Sequence, residues 1–478
     1  MNCIFPLQEE LAGAYPLRMI GNLLKPELDT LIRERRFAEL REALCEFAPV
    51  DIAEILQDLA AEEQGVLLRL LPSHLAADVF EHLELEEQER LLLALGNENV
   101  ARILNEMSPD DRTAILEELP AAATQKLLGL LTPEERKVAV TLLGYPEGSI
   151  GRRMTPEYVA INRDWTVAEV LAHLRRVGHE RETLNQMFVV DPQGRLQGAV
   201  RLRHLVVSEL STPVAELLDQ QMVQLRATDD QELAVAAFKK YDRTVLPVTD
   251  SQGMLVGVVT VDDVLDVAEE EATEDFQKMG AVGTLTAPYL QTGLLSMIQK
   301  RVGWLILLFL GQMLTATAMA HYDEQLAAAM VLAIFIPLII SSGGNSGSQA
   351  STLVIRSMAT GDVLDRDWWR VLRREIMAGL SLGLVLAAIG LGRILLWPPG
   401  GETLVGPHQL AIALTVAFSL VGVVLFGSVV GAMLPFMLRA FRLDPAVCSA
   451  PFVATLVDVT GLVIYFNVAM IVLRGTLL

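Results

Sequence analysis

"VTDSQGMLVGVVTVDDVLDVAEEEATED", residues 248–275, begins as alternating strand and ends as a run of carboxylates. Its first part repeats an earlier stretch, "VVDPQGRLQGAVRLRHLV" at 189–206, with a constant offset of 59. Asp191 and Asp250, Gly194 and Gly253, Leu196 and Leu255, Gly198 and Gly257, and Leu205 and Val264 coincide. Each copy reads as strand, glycine turn, strand and helix, preceded by a further helix ("TVAEVLAHLRR" and "ELAVAAFKK"). A tandem α/β pair therefore occupies the middle of the chain.

That pattern resembles a tandem pair of CBS domains, modules that often regulate transporters and enzymes. The second copy keeps Gly-h-h-Thr-x-x-Asp from Gly257 to Asp263, where the resemblance implies that Thr260 and Asp263 contact phosphate and ribose. The first copy has Arg201 and His204 at those places, so the resemblance allows one adenine-nucleotide (ATP) site at most, and a purely structural hinge remains equally open.

Upstream, residues 48–143 divide into units of 12, each closing on Leu or Met: Leu59, Leu71, Leu83, Leu95, Met107, Leu119, Leu131 and Leu143. Twelve residues make about three helical turns with one apolar stripe, so the spacing predicts short helices stacked in pairs as a superhelical solenoid. Alternate units carry acidic pairs: Glu62-Glu63, Glu86-Glu87, Asp110-Asp111 and Glu134-Glu135. Helix N-termini favour such carboxylates, and Ser108-Pro109 and Thr132-Pro133 supply a cap and a first-turn proline. Capping is the expected role of most of these pairs, with ion sensing the alternative.

Charge is unevenly spread. Of 38 Lys and Arg and 59 Asp and Glu, residues 1–150 hold 13 and 28, residues 151–290 hold 14 and 22, and residues 291–478 hold 11 and 9. An acidic portion thus precedes a nearly neutral, apolar one, which disfavours nucleic acid and anionic lipid and favours cations. Cys3, Cys45 and Cys448 share no disulfide or zinc spacing, and the His form no metal motif. The first 20 residues lack a cleavable-signal pattern, so the N-terminal portion is expected in the cytoplasm.

Downstream of the repeat, Asp262, Asp263, Asp266, Glu269, Glu270, Glu271, Glu274 and Asp275 place eight carboxylates in fourteen residues. On a helix Asp263, Asp266, Glu270 and Glu274 share one face and repel. A solvated face is the bland reading. A hard divalent cation, Ca2+ or Mg2+, is the one preferred here, because the segment leads straight into the membrane.

Five apolar runs follow: 302–320, one starting at Leu326, about 376–397, 409–438 and 446–473. Lys300 and Arg301, then Arg356, Arg366, Arg370, Arg373 and Arg374, then Arg439 and Arg442 lie on one side of the bilayer. The loops "HYDEQ" and "PPGGETLVGPH" on the other side contain no Lys or Arg, which places the N-terminus inside and the C-terminus outside. Arg393 and Arg474 are expected to snorkel.

Two stretches break the lipid rule. "SSGGNSGSQAS" is a small-residue seam, a polar lining, or both, with Asn345 and Gln349 on one side. "PFVATLVDVTG", 451–461, carries Asp458, the only Asp, Glu, Lys, Arg or His between Asp444 and Arg474. An Asp at the bilayer centre costs roughly 2.5–3.5 kcal/mol on insertion scales. No Lys or Arg lies mid-span to pair with it, so it bonds to neighbours or, the preferred reading, awaits a mobile cation. Thr455, Asp458, Gly461 and Tyr465 are expected on one face.

With "GGNSGSQ" in the second run and "PFVATLVDVTG" in the fifth, the domain order is similar to that of the MgtE family of magnesium channels. The expected architecture is a multidomain membrane protein: an N-terminal, partly helical segment (1–47), an all-α superhelical N-domain (48–145), an α/β CBS pair (146–211 and 212–268), an acidic connecting "plug" helix and linker (269–298), and an all-α transmembrane domain with five helices (299–478). The resemblance implies a homodimer in the plasma (inner) membrane with a pore along its two-fold axis. Asp458 of both copies would hold hydrated Mg2+, with Asn345, Gln349, Pro451, Thr455 and Gly461 lining the path. Cytoplasmic Mg2+ on the carboxylates of 262–275 would hold the pore shut. Relatives commonly read "PEDSAGRLM" where this chain has "PEGSIGRRM", which leaves Gly148 without a ligand oxygen on its side chain. The rivals are a broader Co2+, Mn2+ or Ni2+ transporter, a CBS-regulated anion channel, and an intramembrane aspartyl protease. The last needs a second intramembrane Asp that one chain does not supply, so a transporter and not an enzyme is expected. Softer metals find no His or Cys ligand beside Asp458.

Overall fold

The computed structural model describes residues 30–32, 34–57, 59–83, 85–219, 222–285, 289–290, 292–396, 408–474 and 477. Most of the expected N-terminal segment, residues 1–29, lies outside the described residues, as does nearly all of the loop at 398–408. The chain divides into two compact units, Met1–Glu269 and Glu270–Leu478.

In the first unit, α1 (Phe37–Leu44) precedes a run of short helices: α2 (Pro49–Gln57), α3 (Ala61–Leu70), α4 (Ser73–Glu81), α5 (Leu85–Ala94), α6 (Asn97–Glu106), α7 (Pro109–Glu118), α8 (Ala121–Leu128) and α9 (Pro133–Leu143). One helix forms in each 12-residue unit. Leu59, Leu71, Leu83, Leu95, Met107 and Leu131, which close six of the units, are buried in a common core. Packing skips one helix: α2 lies on α4, α4 on α6, α3 on α5, and α7 on α9. A 12-residue period thus yields two alternating layers of a superhelix, because each helix plus its turn reverses the chain.

A second device tightens that stack at twice the period. Gln64 Nε2 donates to Leu56 O, Gln88 Nε2 to Phe80 O, Arg112 Nη1 to Leu104 O and Arg136 Nε to Leu128 O. Each side chain reaches back eight residues to satisfy a carbonyl at the end of the preceding helix, where no intrahelical donor is available. Arg112 is fully buried and also pairs with Glu135.

The CBS pair forms two three-stranded sheets of identical order. In the first, β1 (Ala160–Ile161) is parallel to β2 (Gln186–Val190), which is antiparallel to β3 (Leu196–Arg201); in the second, β4 (Leu225–Arg226), β5 (Val245–Thr249) and β6 (Leu255–Thr260) repeat this. The turn glycines Gly194 and Gly253 have φ of 85° and 78°, which favour glycine. Their turns clasp each other: Leu196 N donates to Gly253 O and Leu255 N to Gly194 O. Gly198 and Gly257 recur because foreign backbone crosses there. A Cβ at Gly198 would stand 2.8 Å from Asp219 O, and one at Gly257 2.8 Å from Thr155 O. Residues 149–155 therefore pack on the second copy, while Val214 packs in the core of the first. A boundary at 211/212 divides the sequence, but the leading segments exchange across it.

The acidic segment is one continuous helix, Val261–Met279, that begins directly after β6. It starts eight residues before the expected boundary at 269, because Asp263 caps its first turn by accepting from Thr260 N and Oγ1.

The second unit holds five helices long and apolar enough to cross a membrane: Leu294–His321, Val331–Ala359, Asp365–Leu395, Gln409–Ala440 and Ala450–Val472, here spans 1 to 5. Span 4 is the hub and packs against spans 2, 3 and 5; span 1 packs against span 5. The seam within "SSGGNSGSQAS" explains how. A Cβ at Gly427 would stand 2.3 Å from Gly343 O, and one at Gly431 2.1 Å from Gly347 O, so the backbones of spans 2 and 4 touch. Between those crossings Ser346 and Ser428 hydroxyls bond at 2.7 Å, buried. Close backbone approach of this kind replaces the hydrophobic drive that lipid removes.

Two outcomes are expected. Arg112→Ala leaves Leu104 O and Glu135 unpaired and should lower the stability of the soluble unit by about 3 kcal/mol, whereas Arg112→Gln, the residue of the equivalent positions 64 and 88, should cost less than half of that in thermal unfolding. Gly427→Val should abolish a monodisperse detergent-solubilised protein, while Gly392→Ala, whose Cβ meets nothing within 4 Å, should be neutral by the same size-exclusion assay.

Candidate metal centres

Span 5 is aimed by its first turn. Asp444 Oδ1 accepts from Ala446 N, and Ser449 caps the helix by accepting from Phe452 N. From span 2, Ser351 Oγ donates to Cys448 O and Ser348 Oγ to Ala450 O, both at 3.1 Å. Deeper in, the Tyr465 hydroxyl donates to Leu332 O of span 2 at 2.9 Å. These bonds fix the rotation of span 5 and so the direction of Asp458.

Asp458 is half-buried and opens on a cavity of about 610 Å³ between spans 1 and 5. Leu305, Phe309 and Gln312 form one wall, and Pro451, Thr455 and Asp458 the other. Among the described residues of the single chain no hydrogen bond or ion pair engages the Asp458 carboxylate. Gly311 lets span 1 approach, since a Cβ there would stand 2.7 Å from Thr455 Cγ2.

The expected lining residues separate into three groups. Pro451 and Thr455 share the cavity with Asp458. Asn345 and Gln349 are exposed on the face of span 2 opposite the glycine seam. Gly461 does not belong with Asp458: it is buried, with its absent Cβ directed at Val423 of span 4, and Tyr465 is buried beside it. Gly461, three residues on, is rotated by about 60° from Asp458, whereas Tyr465, seven on, lies within about 20° of its line and is buried at a depth where its hydroxyl reaches Leu332 O of span 2. Gln312 was not legible in the sequence, because nothing in span 1 alone says which side meets span 5.

The carboxylates of 262–275 fall in both units. Asp262, Asp263, Asp266 and Glu269 belong to the first, and Glu270, Glu271, Glu274 and Asp275 to the second. In the first unit they join acids contributed by other segments. Asp110 at the start of α7 is 7% exposed, and its Oδ1 has no hydrogen-bond partner. Burial pushes its carboxyl well above the usual range, and Asp263, Asp111 and Glu182 add to this. Burial, then the charges of Asp263 and Asp262, raise Glu182 to about 7; burial and Asp111 raise Glu81 to about 7; burial chiefly raises Asp263 to about 6. Asp111 and Asp266 are raised for the same first reason. The N-domain, the first CBS copy and the connecting helix thus direct like charges at one region.

Asp110-Asp111 is therefore an exception to the expected capping role. Ser108 occupies the cap position, yet its hydroxyl donates to Asp111 Oδ2 at 2.7 Å and accepts no backbone bond, whereas Thr132 caps α9 by accepting from Glu135 N. Among the described residues no three His, Cys, Asp or Glu converge closely enough to enclose a metal. The oxygens suit a hard cation held partly through water, and the orphaned Asp110 Oδ1 suits one that neutralises it. In the second CBS copy Thr260 Oγ1 donates to Asp263 Oδ2 at 2.5 Å, and Asp262 and Asp111 place further negative charge beside Asp263.

Comparison with known proteins matches this layout. A family model described as a divalent cation transporter, MgtE, matches residues 336–468; the MgtE intracellular N domain matches 47–148; and CBS domain models match 148–210 and 214–270. The magnesium transporter MgtE of Thermus thermophilus is 42% identical over 95% of this chain and 99% of its own length. The protein of that name from Enterococcus faecalis is 32% identical over 70% of this chain and 71% of its own. Among solved structures, the soluble part of a magnesium transporter is 29% identical, with a TM-score of 0.51 over 53% of this chain and 99% of that one. The cytosolic domain of the Mg2+ channel MgtE in complex with ATP is 43% identical, with a TM-score of 0.48 over 50% of this chain and 98% of that one. A multi-pass membrane protein with a helical N-domain, a CBS pair and five spans, this chain belongs to the MgtE family of divalent cation transporters, not to a family of enzymes.

Proposed function

We propose that the chain imports Mg2+ through a homodimeric pore in the plasma (inner) membrane and is closed by cytoplasmic Mg2+. The observation that carries this is Asp458: a carboxylate in an apolar span with no hydrogen-bond or ion-pair partner among the described residues. One Asp458 and one cavity do not make a complete ion site, and a second copy would supply the matching carboxylate on a two-fold axis. Asn345 and Gln349, exposed on span 2, and span 1, none of whose residues is buried in the single chain, support such an assembly. The relatives' names support Mg2+ as the substrate.

Mg2+ gives up its water reluctantly and suits a few well-placed oxygens in a wide site. Co2+, Mn2+ and Ni2+ could use the same oxygens, and the absence of a nitrogen or sulfur donor beside Asp458 removes any specific preference for them. The basic loops put both soluble portions in the cytoplasm and the C-terminus outside. There, Asp110, Asp111, Glu182 and Asp263 would be drawn together by Mg2+ and driven apart without it. ATP at the second CBS copy has less support, since Thr260 and Asp263 are bonded to each other.

Asp458→Ala should abolish Mg2+ uptake in cells lacking other Mg2+ transporters, with the protein still folded; retained uptake would remove Asp458 from the pathway. The acid cluster fixes a pH dependence. Carboxylates raised in the folded state bind protons more tightly there, so stability falls as pH rises from about 4 to about 7. Hydrogen exchange at residues 81–118 and 260–269, measured without divalent cations, should therefore be slower at pH 5.5 than at pH 7.5 after correction for intrinsic rates. Millimolar Mg2+ should restore protection at pH 7.5 and fail to do so in Asp110→Asn/Asp263→Asn. Exchange that ignores both pH and Mg2+ would count against sensing by this cluster.

A further inference from the structure

Within the second unit, the end of the connecting helix is tied to the entrance of the pore-bearing span. Lys278 is the only Lys or Arg in Val261–Met279. Its Nζ donates to Asp444 Oδ2 at 2.6 Å and pairs with Glu274 one turn back. Asp444 is a shared group: its second oxygen, Oδ1, accepts from Ala446 N at 2.8 Å and so caps the turn that leads into span 5. Cys448 and Ala450, the next residues on, are held by the Ser351 and Ser348 hydroxyls of span 2. From Lys278 to the first turn of span 5 the path is a continuous series of hydrogen bonds and covalent turns.

The rest of the helix end is held as well. Met279 packs on the core formed by the spans, Leu285 N donates to Gln277 Oε1 at 2.6 Å, and Gly283 N donates to Lys300 O at 2.9 Å. Without the ammonium, Glu274, Asp275 and Asp444 would face one another unopposed, and Asp275 already feels the charge of Asp444. Packing alone would then have to hold the helix end against that repulsion.

We propose that Lys278 is a positioning residue for transport: its ammonium is the strut through which the connecting helix sets the register of span 5, and with it Asp458. The proposal deepens the closure by cytoplasmic Mg2+ described above and rests on it. Displacing the connecting helix pulls on Asp444, loosens the cap ahead of span 5 and shifts the carboxylate two turns further along. With the strut removed, the acidic helix still answers to Mg2+, but its movement reaches the pore weakly.

The test is patch-clamp current from the reconstituted full-length protein with internal Mg2+ varied. Lys278→Met should conduct at low Mg2+ and need about tenfold more internal Mg2+ for half-closure, within the usual range of coupling between sites. Lys278→Arg should stay within about twofold of the parent. Asp444→Asn, which keeps an oxygen for Ala446 N and loses the charge, should give a similar shift, and Lys278→Met/Asp444→Asn no more than either alone, a result that two independent losses would not produce. Half-closure of Lys278→Met at the parent concentration, or additive shifts in the double variant, overturns the strut. A parent current indifferent to internal Mg2+ would instead overturn the closure reading. Hydrogen exchange at residues 444–452 then decides the strut separately: faster exchange in Lys278→Met supports it, and unchanged exchange rejects it.

Discussion

Everything in the membrane unit is arranged around one uncompensated charge. Asp458 costs roughly 2.5–3.5 kcal/mol to place in a span, and among the described residues no Lys, Arg or hydrogen bond engages it to offset that cost. A structural carboxylate would have drawn such a partner from spans 1, 2 or 4. The cavity between spans 1 and 5 supplies only Gln312 and Thr455 as polar neighbours. A mobile cation is the counter-charge proposed for it, and the span that carries it must be held without help from the carboxylate itself.

The glycine seam meets that requirement. Contacts of Gly427 and Gly431 with Gly343 O and Gly347 O bring spans 2 and 4 to backbone distance, and span 4 then supports spans 3 and 5. Because the seam occupies one side of span 2, the opposite side is free for Asn345 and Gln349. One short sequence therefore serves as a packing surface on one side and presents an exposed polar face on the other.

Periodicity made most of the fold legible. The 12-residue unit gave α2 to α9, and the 59-residue offset gave two matching sheets, since both record structures that repeat along the chain. Pairings between distant segments left no such trace. The exchange of residues 149–155 with the second CBS copy was hidden, although Gly198 and Gly257 marked the strands over which foreign backbone passes. Asp458 is evident from its apolar surroundings alone, but its neighbours on the same face are not: a spacing of three turns Gly461 away by about 60°, and Tyr465, nearly in line, is covered at another depth by contacts with span 2 that periodicity does not record. Asp110-Asp111 looked like every other acidic pair at a helix start. Only burial beside Asp263 and Glu182 distinguishes it, and burial depends on the whole soluble unit.

Among the described residues, Asp458 has no cationic partner and the carboxylates around Asp110 outnumber the cations near them, His82 and Arg153, and their placement suits the two groups to opposite mechanical roles. Asp458 sits on one rigid helix whose rotation is fixed by Tyr465, Ser348 and Ser351, so a cation arriving there changes little except the charge. Asp110, Glu182 and Asp263 come from three segments joined by turns, and each ion that neutralises them alters the force between those segments. Burial first, and the neighbouring carboxylates after it, push Asp263 to about 6 and Glu81 and Glu182 to about 7, so the fold resists full ionisation of this group near neutral pH. A carboxylate fixed on a single element suits passage. Carboxylates distributed over several elements suit a switch, and the helix that carries Asp263 at one end carries Lys278 at the other.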